Sequence, residues 1–274
     1  MILQQIQPQL KKGRATKRGR KAKAKPVRQS RKAEIMYTKE LLAITELCIA
    51  EGNNILERLK ADKRFVGDDM GVNGSNWQRL TQGTVDMLYL KIDGISGAIA
   101  GRVVQAQKEA VDNQIADMVE MMTTVDIRAI MTGENLTDVV NDAISANVSL
   151  IESIPKKYFD KLETIVNTGF QDGWTYNQIQ DEIYKVGHST KARARFIARD
   201  QIGKMNGQFN KARQESLGID SYTWDTSGDE RVRDKHARMD GKTVRWDDPP
   251  SFGHPGQDFQ CRCTPIPNLD HLLS

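Results

Sequence analysis

Hydrophobic positions along most of this chain recur every three to four residues, as they do on one face of an α-helix. The pattern predicts helices over residues 35–60, 102–122 and 135–153, with a loop over residues 66–76. The helical stretch after that loop carries small residues three and seven positions apart, at Gly94, Gly97 and Gly101. They would permit close helix–helix approach, and a hinge is the competing interpretation.

Several residues predict where the later helices begin and end. Pro155 suits a first helical turn and predicts a helix that ends near residue 169. Thr175 and Gln178 have the spacing of a capping box, which predicts a helix through residue 186. Ser189 or Thr190 would cap the N-terminus of another helix, which would end at Gly218.

After Gly218 the hydrophobic period changes from 3.6 to 2, which is typical of strands. We predict strands over 221–225, 242–246 and 260–266, a short helix within 229–239 and a turn at 240–241. The fold class is therefore α+β: a mostly helical body with a small β-containing C-terminal module. The predicted domains are a disordered basic tail (1–34), a helical domain (35–155) and a C-terminal domain (156–274), with helices over 156–217 and the β module over 219–268.

Charge is distributed very unevenly along the chain. Of its 40 basic residues, twelve lie before residue 34, where there is no acidic residue, and the other 28 are outnumbered by 36 acidic ones. Such a segment favours disorder and contact with a polyanion, whereas a solvated tail is the plainer interpretation. We predict non-specific binding of double-stranded DNA by Lys11, Lys12, Arg14, Lys17, Arg18, Arg20, Lys21, Lys23, Lys25, Arg28, Arg31 and Lys32.

Cysteine usage and hydropathy limit the cellular context. Three cysteines, at 48, 261 and 263, do not form a disulfide framework, which favours a cytosolic origin. No apolar run approaches the ~18 residues of a membrane span, so we expect no membrane requirement for folding. The basic start lacks the hydrophobic region of a signal peptide, and its composition leaves a transit peptide as the weaker alternative.

The C-terminal module concentrates residues that can carry chemistry. His236, His254, Cys261 and Cys263 could together bind Zn²⁺ tetrahedrally, although Cys-x-Cys is not the usual zinc spacing. Alternatively, His236 with Asp229 or Asp240 could act as a base and its orienting group, with Arg231 or Arg233 binding phosphate. The structural interpretation is a loop-rich fold fastened by polar side chains around buried tryptophans, and we favour it.

The same segment resembles the C-terminal domain of phage minor head proteins, the family similar to the phage Mu F head morphogenesis protein. The resemblance covers about residues 160–268, and its ordered end, His-Pro…Cys-Arg-Cys, is its most specific part. In many relatives the positions of Arg233 and His236 hold a Cys-x-x-Cys pair, from which this chain departs. The matching residues are Arg199, Asn206, Trp224, Asp229, Arg231, Arg233, His236, Asp240, Gly241, His254, Pro255, Cys261 and Cys263.

The resemblance implies a virion protein that is made in the host cytoplasm and acts in head morphogenesis. Its expected partners are the portal protein, a major capsid or scaffolding protein and the packaged DNA, and its expected place is the capsid interior near the portal. It implies no enzyme activity and no cofactor, with zinc as the alternative. A nuclease or toxin-like enzyme using the His/Arg/Cys cluster, and a host DNA-condensing protein, are the competing functional hypotheses.

Overall fold

The computed structural model describes residues 23–61, 75–81, 83–123, 125–132 and 136–269. It is mostly helical and ends in a small sheet, which confirms the α+β prediction. No helix among the described residues is long and apolar enough to cross a lipid bilayer. The helices are α1 (Arg31–Ala61), α2 (Ser75–Thr81), α3 (Thr84–Thr123), α4 (Arg128–Thr132), α5 (Thr137–Gln171), α6 (Tyr176–Ser216) and α7 (Asp234–Ala237); the strands are β1 (Ser221–Asp225), β2 (Thr243–Arg245) and β3 (Thr264–Pro267).

The chain forms two compact units, each built from separated segments. The first unit comprises the residues up to 34, 102–143 and those from 199 onward, and the second comprises 35–101 and 144–198. Because the long helices contribute residues to both units, no single cut in the chain separates them. The predicted domain boundary between residues 155 and 156 falls inside α5 and coincides with neither unit.

Pro155 lies inside α5, so the prediction that it opens a new helix is wrong. Proline in a helix interior costs roughly 3 kcal/mol because it removes one hydrogen bond and crowds the preceding turn. Apolar residues on both sides of it are buried in the second unit, and each such side chain contributes about 1.5–3 kcal/mol. Burial of this stripe therefore outweighs the local preference for a break; its members are Ile151, Ile154, Tyr158, Phe159 and Leu162.

α6 begins as predicted but does not break at residues 186–190. The capping box is formed: the Thr175 N–H donates to Gln178 Oε1 at 2.7 Å, and the Gln178 N–H faces Thr175 Oγ1 at 3.4 Å. The hydroxyls of Ser189 and Thr190, predicted to cap a separate helix, instead donate to the Val186 carbonyl at 2.9 and 2.8 Å. These side chains bond back to the preceding turn and the helix continues through them.

Gly218 ends α6, as predicted. Its φ of +83° is in the left-handed region that glycine adopts most readily. The Ile219 N–H donates to the Gln214 carbonyl at 2.8 Å, which satisfies one of the last helical carbonyls. The chain then enters β1, the central strand of a sheet with order β2-β1-β3, in which both neighbours are antiparallel.

The three glycines on α3 do not mediate close packing against another described helix. α3 is continuous through them, and a Cβ added at Gly94, Gly97 or Gly101 would meet nothing within 4 Å among the described residues. Within the part of the chain that the structure describes, the prediction of close helix–helix approach at these glycines is therefore wrong, whereas the hinge stays a prediction. Close approach occurs on α6 instead, at Gly203 and Gly207.

Residues 23–34 differ from the predicted disordered tail, because they are part of the first unit. Val27 is buried, and its carbonyl accepts a hydrogen bond from Asn206 Nδ2 at 3.1 Å. The Ser30 N–H donates to Gln107 Oε1, and Gln29 Nε2 donates to the Cys261 carbonyl. Tertiary hydrogen bonds thus fix this stretch, whereas residues 1–22 of the predicted tail lie outside the described residues.

Candidate functional site

Buried aromatic and sulfur-containing side chains form the centre of the C-terminal module. Alternation along β1 buries Tyr222 and Trp224, and the Tyr222 ring lies 4.3 Å from that of Trp246 between centroids. Few aliphatic residues take part, so aromatic area supplies most of the burial here. The cluster consists of Tyr222, Trp224, Val244, Trp246, Cys261 and Cys263.

His236 brings a polar side chain into this cluster. It lies on α7, is 3% exposed, and its ring stacks on Phe252 and meets Trp224 edge-on. Its Nδ1 lies 3.5 Å from the Cys263 sulfur and 3.7 Å from the Cys261 sulfur. One potential ligand atom from each of these three residues lies within 4.8 Å of the other two. Tertiary folding therefore assembles one imidazole nitrogen and two sulfurs in a buried position.

The other edge of the His236 ring faces a carboxylate. His236 Nε2 lies 3.4 Å from Asp258 Oδ2, and Lys235 Nζ lies 2.8 Å from the same oxygen. The hydrogen bond from Lys235 is the largest cause that lowers the pKa of Asp258, and Arg233 adds to it. Asp258 is therefore ionised near neutral pH and presents a negative oxygen to the imidazole.

The two cysteines of the cluster influence each other's ionisation. A hydrogen bond from Cys263 lowers the pKa of Cys261 to about 6. The same contact, together with burial, raises the pKa of Cys263. Cys261 is therefore the cysteine of the pair that ionises first. By contrast, burial raises the pKa of Cys48, in the second unit, to about 12 and keeps it a neutral thiol.

His254 stands apart from these three donors. Its Nδ1 is 3.0 Å from the Tyr222 hydroxyl, and its ring packs against Trp246 at 4.9 Å. Burial is the main reason that its pKa is lowered, which favours the neutral ring. The predicted four-ligand set is thus reduced to His236, Cys261 and Cys263 in this structure.

Neither predicted acid–base pair of the enzyme hypothesis is formed. Asp240 accepts hydrogen bonds from the Thr226 backbone and hydroxyl, both at 2.9 Å. Asp229 forms a two-pronged ion pair with Arg262, with N···O distances of 2.5 and 2.6 Å. The carboxylate beside His236 is Asp258, a residue outside both predicted pairs.

The predicted arginines and turn residues of the motif have structural contacts. Arg233 donates to the Phe259 carbonyl at 2.8 Å, and the Arg231 backbone N–H donates to Asp229 Oδ1 at 3.0 Å. Gly241, with a φ of +73°, forms the predicted turn, and its N–H donates to the Trp224 carbonyl at 2.8 Å. These contacts fit the structural interpretation of the motif.

Arg199 and Asn206, on α6, contact the N-terminal segment rather than the histidine–cysteine cluster. Arg199 Nε lies 3.5 Å from Glu34 Oε1. Asn206 donates to the Val27 carbonyl and accepts from Gln107 Nε2 at 3.0 Å. These contacts hold residues 23–34 on the first unit.

The His-Pro-Gly loop lies directly on α6. A Cβ at Gly207 would lie within 2.4 Å of the Pro255 carbonyl oxygen, and one at Gly203 within 3.1 Å of the Cys261 carbonyl oxygen. Gly256 Cα and Pro255 backbone atoms occupy the space that side chains would otherwise fill. The spacing Gly-x-x-x-Gly at 203–207 is a signal in the sequence that could have predicted this approach.

Five of the twelve basic residues predicted to bind DNA are described, and all five are exposed: Lys23, Lys25, Arg28, Arg31 and Lys32. They follow one another along the segment that Asn206 and Gln107 fix. The remaining seven lie outside the described residues: Lys11, Lys12, Arg14, Lys17, Arg18, Arg20 and Lys21.

Comparison with known proteins bears on the same region. Residues 160–266 match the family model described as Phage Mu protein F like protein. We call residues 160–266 the Mu F-like region. This confirms the resemblance found on the motif residues. The match includes α6, β1, β2, most of β3 and the three-donor cluster.

A longer relative matches beyond the Mu F-like region. An uncharacterized protein of Haemophilus influenzae is 33% identical over 258 residues, which are 93% of this chain and 57% of the relative. The chain therefore spans little more than half the length of the curated relative that it matches. The comparison with solved structures found no significant match. The Mu F-like family suggests a structural protein of phage head morphogenesis.

Proposed function

We propose that this protein is a minor head protein of a phage, which binds head components through its folded units and DNA through its basic N-terminal segment. The observation that carries the proposal is the Mu F-like match over residues 160–266. Its partners would be the portal protein and a major capsid or scaffolding protein. It would be made in the host cytoplasm and end in the capsid interior near the portal, without enzymatic activity.

The basic segment supports the DNA-binding part of the proposal. Residues 23–34 are held on the first unit by hydrogen bonds, so their charged side chains project from a fixed base. Each phosphate contact releases a counterion, and the logarithm of the affinity for duplex DNA falls with the logarithm of salt by about 0.9 per contact. Lysine and arginine on an extended segment read no base pattern, so binding should not depend on sequence.

Charge neutralisation tests this directly. We would replace Lys23, Lys25, Arg28, Arg31 and Lys32 by Gln and measure binding of random-sequence duplex DNA by fluorescence anisotropy over a salt series. The slope of the logarithm of affinity against the logarithm of salt concentration should become shallower by up to about 4.5, because each of the five lost phosphate contacts removes about 0.9 from it. An unchanged slope and affinity would refute the proposed role of the segment.

A matched variant controls for net charge. Five exposed lysines of the second unit are replaced by Gln in it: Lys39, Lys91, Lys156, Lys157 and Lys161. Because this variant loses the same charge elsewhere, its slope should stay close to that of the original chain. Equal weakening by both variants would assign DNA attraction to net charge alone. Duplex DNA that is cleaved in the same samples, with divalent metal and not with chelator, would favour the nuclease hypothesis.

The head-assembly part needs a separate measurement. Phage particles produced with and without the gene would be compared by mass spectrometry and electron microscopy. The chain should be found in the particles in few copies, and its loss should reduce DNA-filled heads. The proposal would be refuted if both preparations contained normal DNA-filled heads and the chain were found in neither.

A further inference from the structure

His236, Cys261 and Cys263 have the donor chemistry of a transition-metal site. One imidazole nitrogen and two sulfurs converge within 4.8 Å, and each of the three residues is at most 5% exposed. Hard cations such as Mg²⁺ and Ca²⁺ prefer oxygen ligands, whereas thiolate and imidazole together favour zinc. No hard oxygen ligand belongs to this group of donors.

The distances fit one ion placed between the three atoms. With zinc at ~2.3 Å from sulfur and ~2.0–2.1 Å from nitrogen, tetrahedral angles require N···S separations of roughly 3.5–3.6 Å. His236 Nδ1 lies 3.5 Å from Cys263 Sγ and 3.7 Å from Cys261 Sγ. Both N···S distances therefore lie within about 0.2 Å of those that a shared zinc ion requires.

The surroundings of His236 supply an independent observation. Metal-binding histidines usually donate the other ring N–H to a carboxylate, which fixes the tautomer and the ring orientation. His236 Nε2 is buried, has no hydrogen bond among the described residues, and faces Asp258 Oδ2 at 3.4 Å. Phe252 and Trp224 hold the ring from its face and edge, so Nδ1 is aimed at the sulfurs.

We infer that the C-terminal module binds one zinc-class ion through His236 Nδ1 and the sulfurs of Cys261 and Cys263, with Asp258 as the positioning residue for His236. The fourth position is left to water or to a donor outside this group. His254 lies outside this group of donors, and its Nδ1 faces the Tyr222 hydroxyl at 3.0 Å. This inference does not depend on the proposed role in the phage head.

The ion would add a bond between two short segments that ion pairs such as Asp229–Arg262 and Lys235–Asp258 already bring together. α7 is a single turn of four residues, and residues 261–263 precede the four-residue strand β3. Small modules with few aliphatic residues commonly rely on metal ions for stability, because metal binding and folding share one free energy. The site is therefore a structural clamp within the Mu F-like region.

Metal content of the full chain is the first test. The protein would be purified with reductant and without chelator, and its mass measured under native and denaturing conditions. We expect one zinc per chain, lost in Cys261→Ser and in Cys263→Ser. Cys48→Ser and His254→Gln are the matched controls, since both residues are buried but lie outside the cluster, and both variants should keep the ion. Loss of the ion in His254→Gln, with the fold intact by circular dichroism, would overturn the three-donor assignment.

Cobalt binding and cysteine alkylation test the same site in the original chain, so they still decide the question if the cysteine variants fail to fold. Co²⁺ added to the metal-stripped original chain should give thiolate-to-metal charge-transfer absorption and the intense visible bands of tetrahedral coordination. Zn²⁺ should protect Cys261 and Cys263 from alkylation mapped by mass spectrometry. A reduced chain that binds neither ion, or whose alkylation is unaffected by zinc, would overturn the inference, as would a Cys261–Cys263 disulfide that persists in reductant.

Asp258→Asn tests the positioning role. Loss of the carboxylate should weaken zinc affinity by about 10- to 100-fold while the cobalt spectrum keeps its shape, because ligation is unchanged but the imidazole is less well oriented. Asp240→Asn is the comparison, since Asp240 accepts from Thr226 and does not face His236. Equal affinities for the two variants would remove Asp258 from the site.

Discussion

Gly207 offers the sharpest test of how the Mu F-like module is built. It lies on α6 beneath the His-Pro-Gly loop, and an added Cβ would lie 2.4 Å from the Pro255 carbonyl oxygen. Ordinary contact begins near 3.4 Å, so the change Gly207→Ala forces backbone apart by about 1 Å. Because that oxygen belongs to the backbone of a buried loop, no side-chain rotation can relieve the contact.

The expected cost follows from comparing two Gly→Ala changes. At Gly97 an added Cβ meets nothing within 4 Å, so Gly97→Ala should stabilise α3 by up to about 1 kcal/mol through helix propensity alone. Gly207→Ala gains the same propensity but adds overpacking, which typically costs 1–3 kcal/mol. The difference between the two variants therefore isolates the steric cost of the contact, at about 1–3 kcal/mol.

Thermal denaturation followed by circular dichroism measures that difference. For a chain of this size each kcal/mol shifts Tm by roughly 2–4 °C, so Gly207→Ala should melt several degrees below Gly97→Ala. Amide hydrogen exchange should show the lost protection concentrated around residues 254–261. If the Gly207 variant is as stable as the Gly97 variant, close docking of the loop on α6 is refuted.

Two further predictions concern buried polar groups of the first unit. Asp112 forms a two-pronged ion pair with Arg213, which is 1% exposed, with N···O distances of 2.8 and 3.1 Å. Asp112→Ala should lower the free energy of unfolding, measured by urea denaturation, by about 3–5 kcal/mol because the buried guanidinium loses this carboxylate. Adding Arg213→Met should restore much of that free energy. Burial lowers the pKa of His254 in the folded chain, so as pH falls the unfolded chain takes up this proton at a higher pH than the folded chain does. The free energy of unfolding should therefore decrease below about pH 6.5 and become constant once the pH is below the pKa of the folded state. His254→Gln should reduce that dependence of Tm on pH, and an unchanged profile would contradict the assignment.

Local signals in the sequence were sufficient wherever neighbouring residues decide the structure. The capping box at Thr175 and Gln178 and the stop at Gly218 are both confirmed, because each depends on hydrogen bonds within a few residues. The strand at 221–225 was predicted with its observed bounds, since alternation along it reflects one buried face. The break predicted at Pro155 is wrong because burial of apolar side chains outweighs local preference there. The break predicted near residue 189 is wrong because the hydroxyls of Ser189 and Thr190 bond back to the preceding turn and the helix continues.

The sequence by itself determined the helical body, the small C-terminal sheet, the Mu F-like resemblance and the list of residues that could carry chemistry. Only the tertiary structure decided which of those residues meet: His236 with Cys261 and Cys263, and His254 with Tyr222. Partners 25 to 32 positions apart are chosen by packing of whole elements, which spacing in the chain does not encode. The same reason explains why residues 23–34, basic enough to predict disorder, are fixed on the first unit by contacts with residues far along the chain.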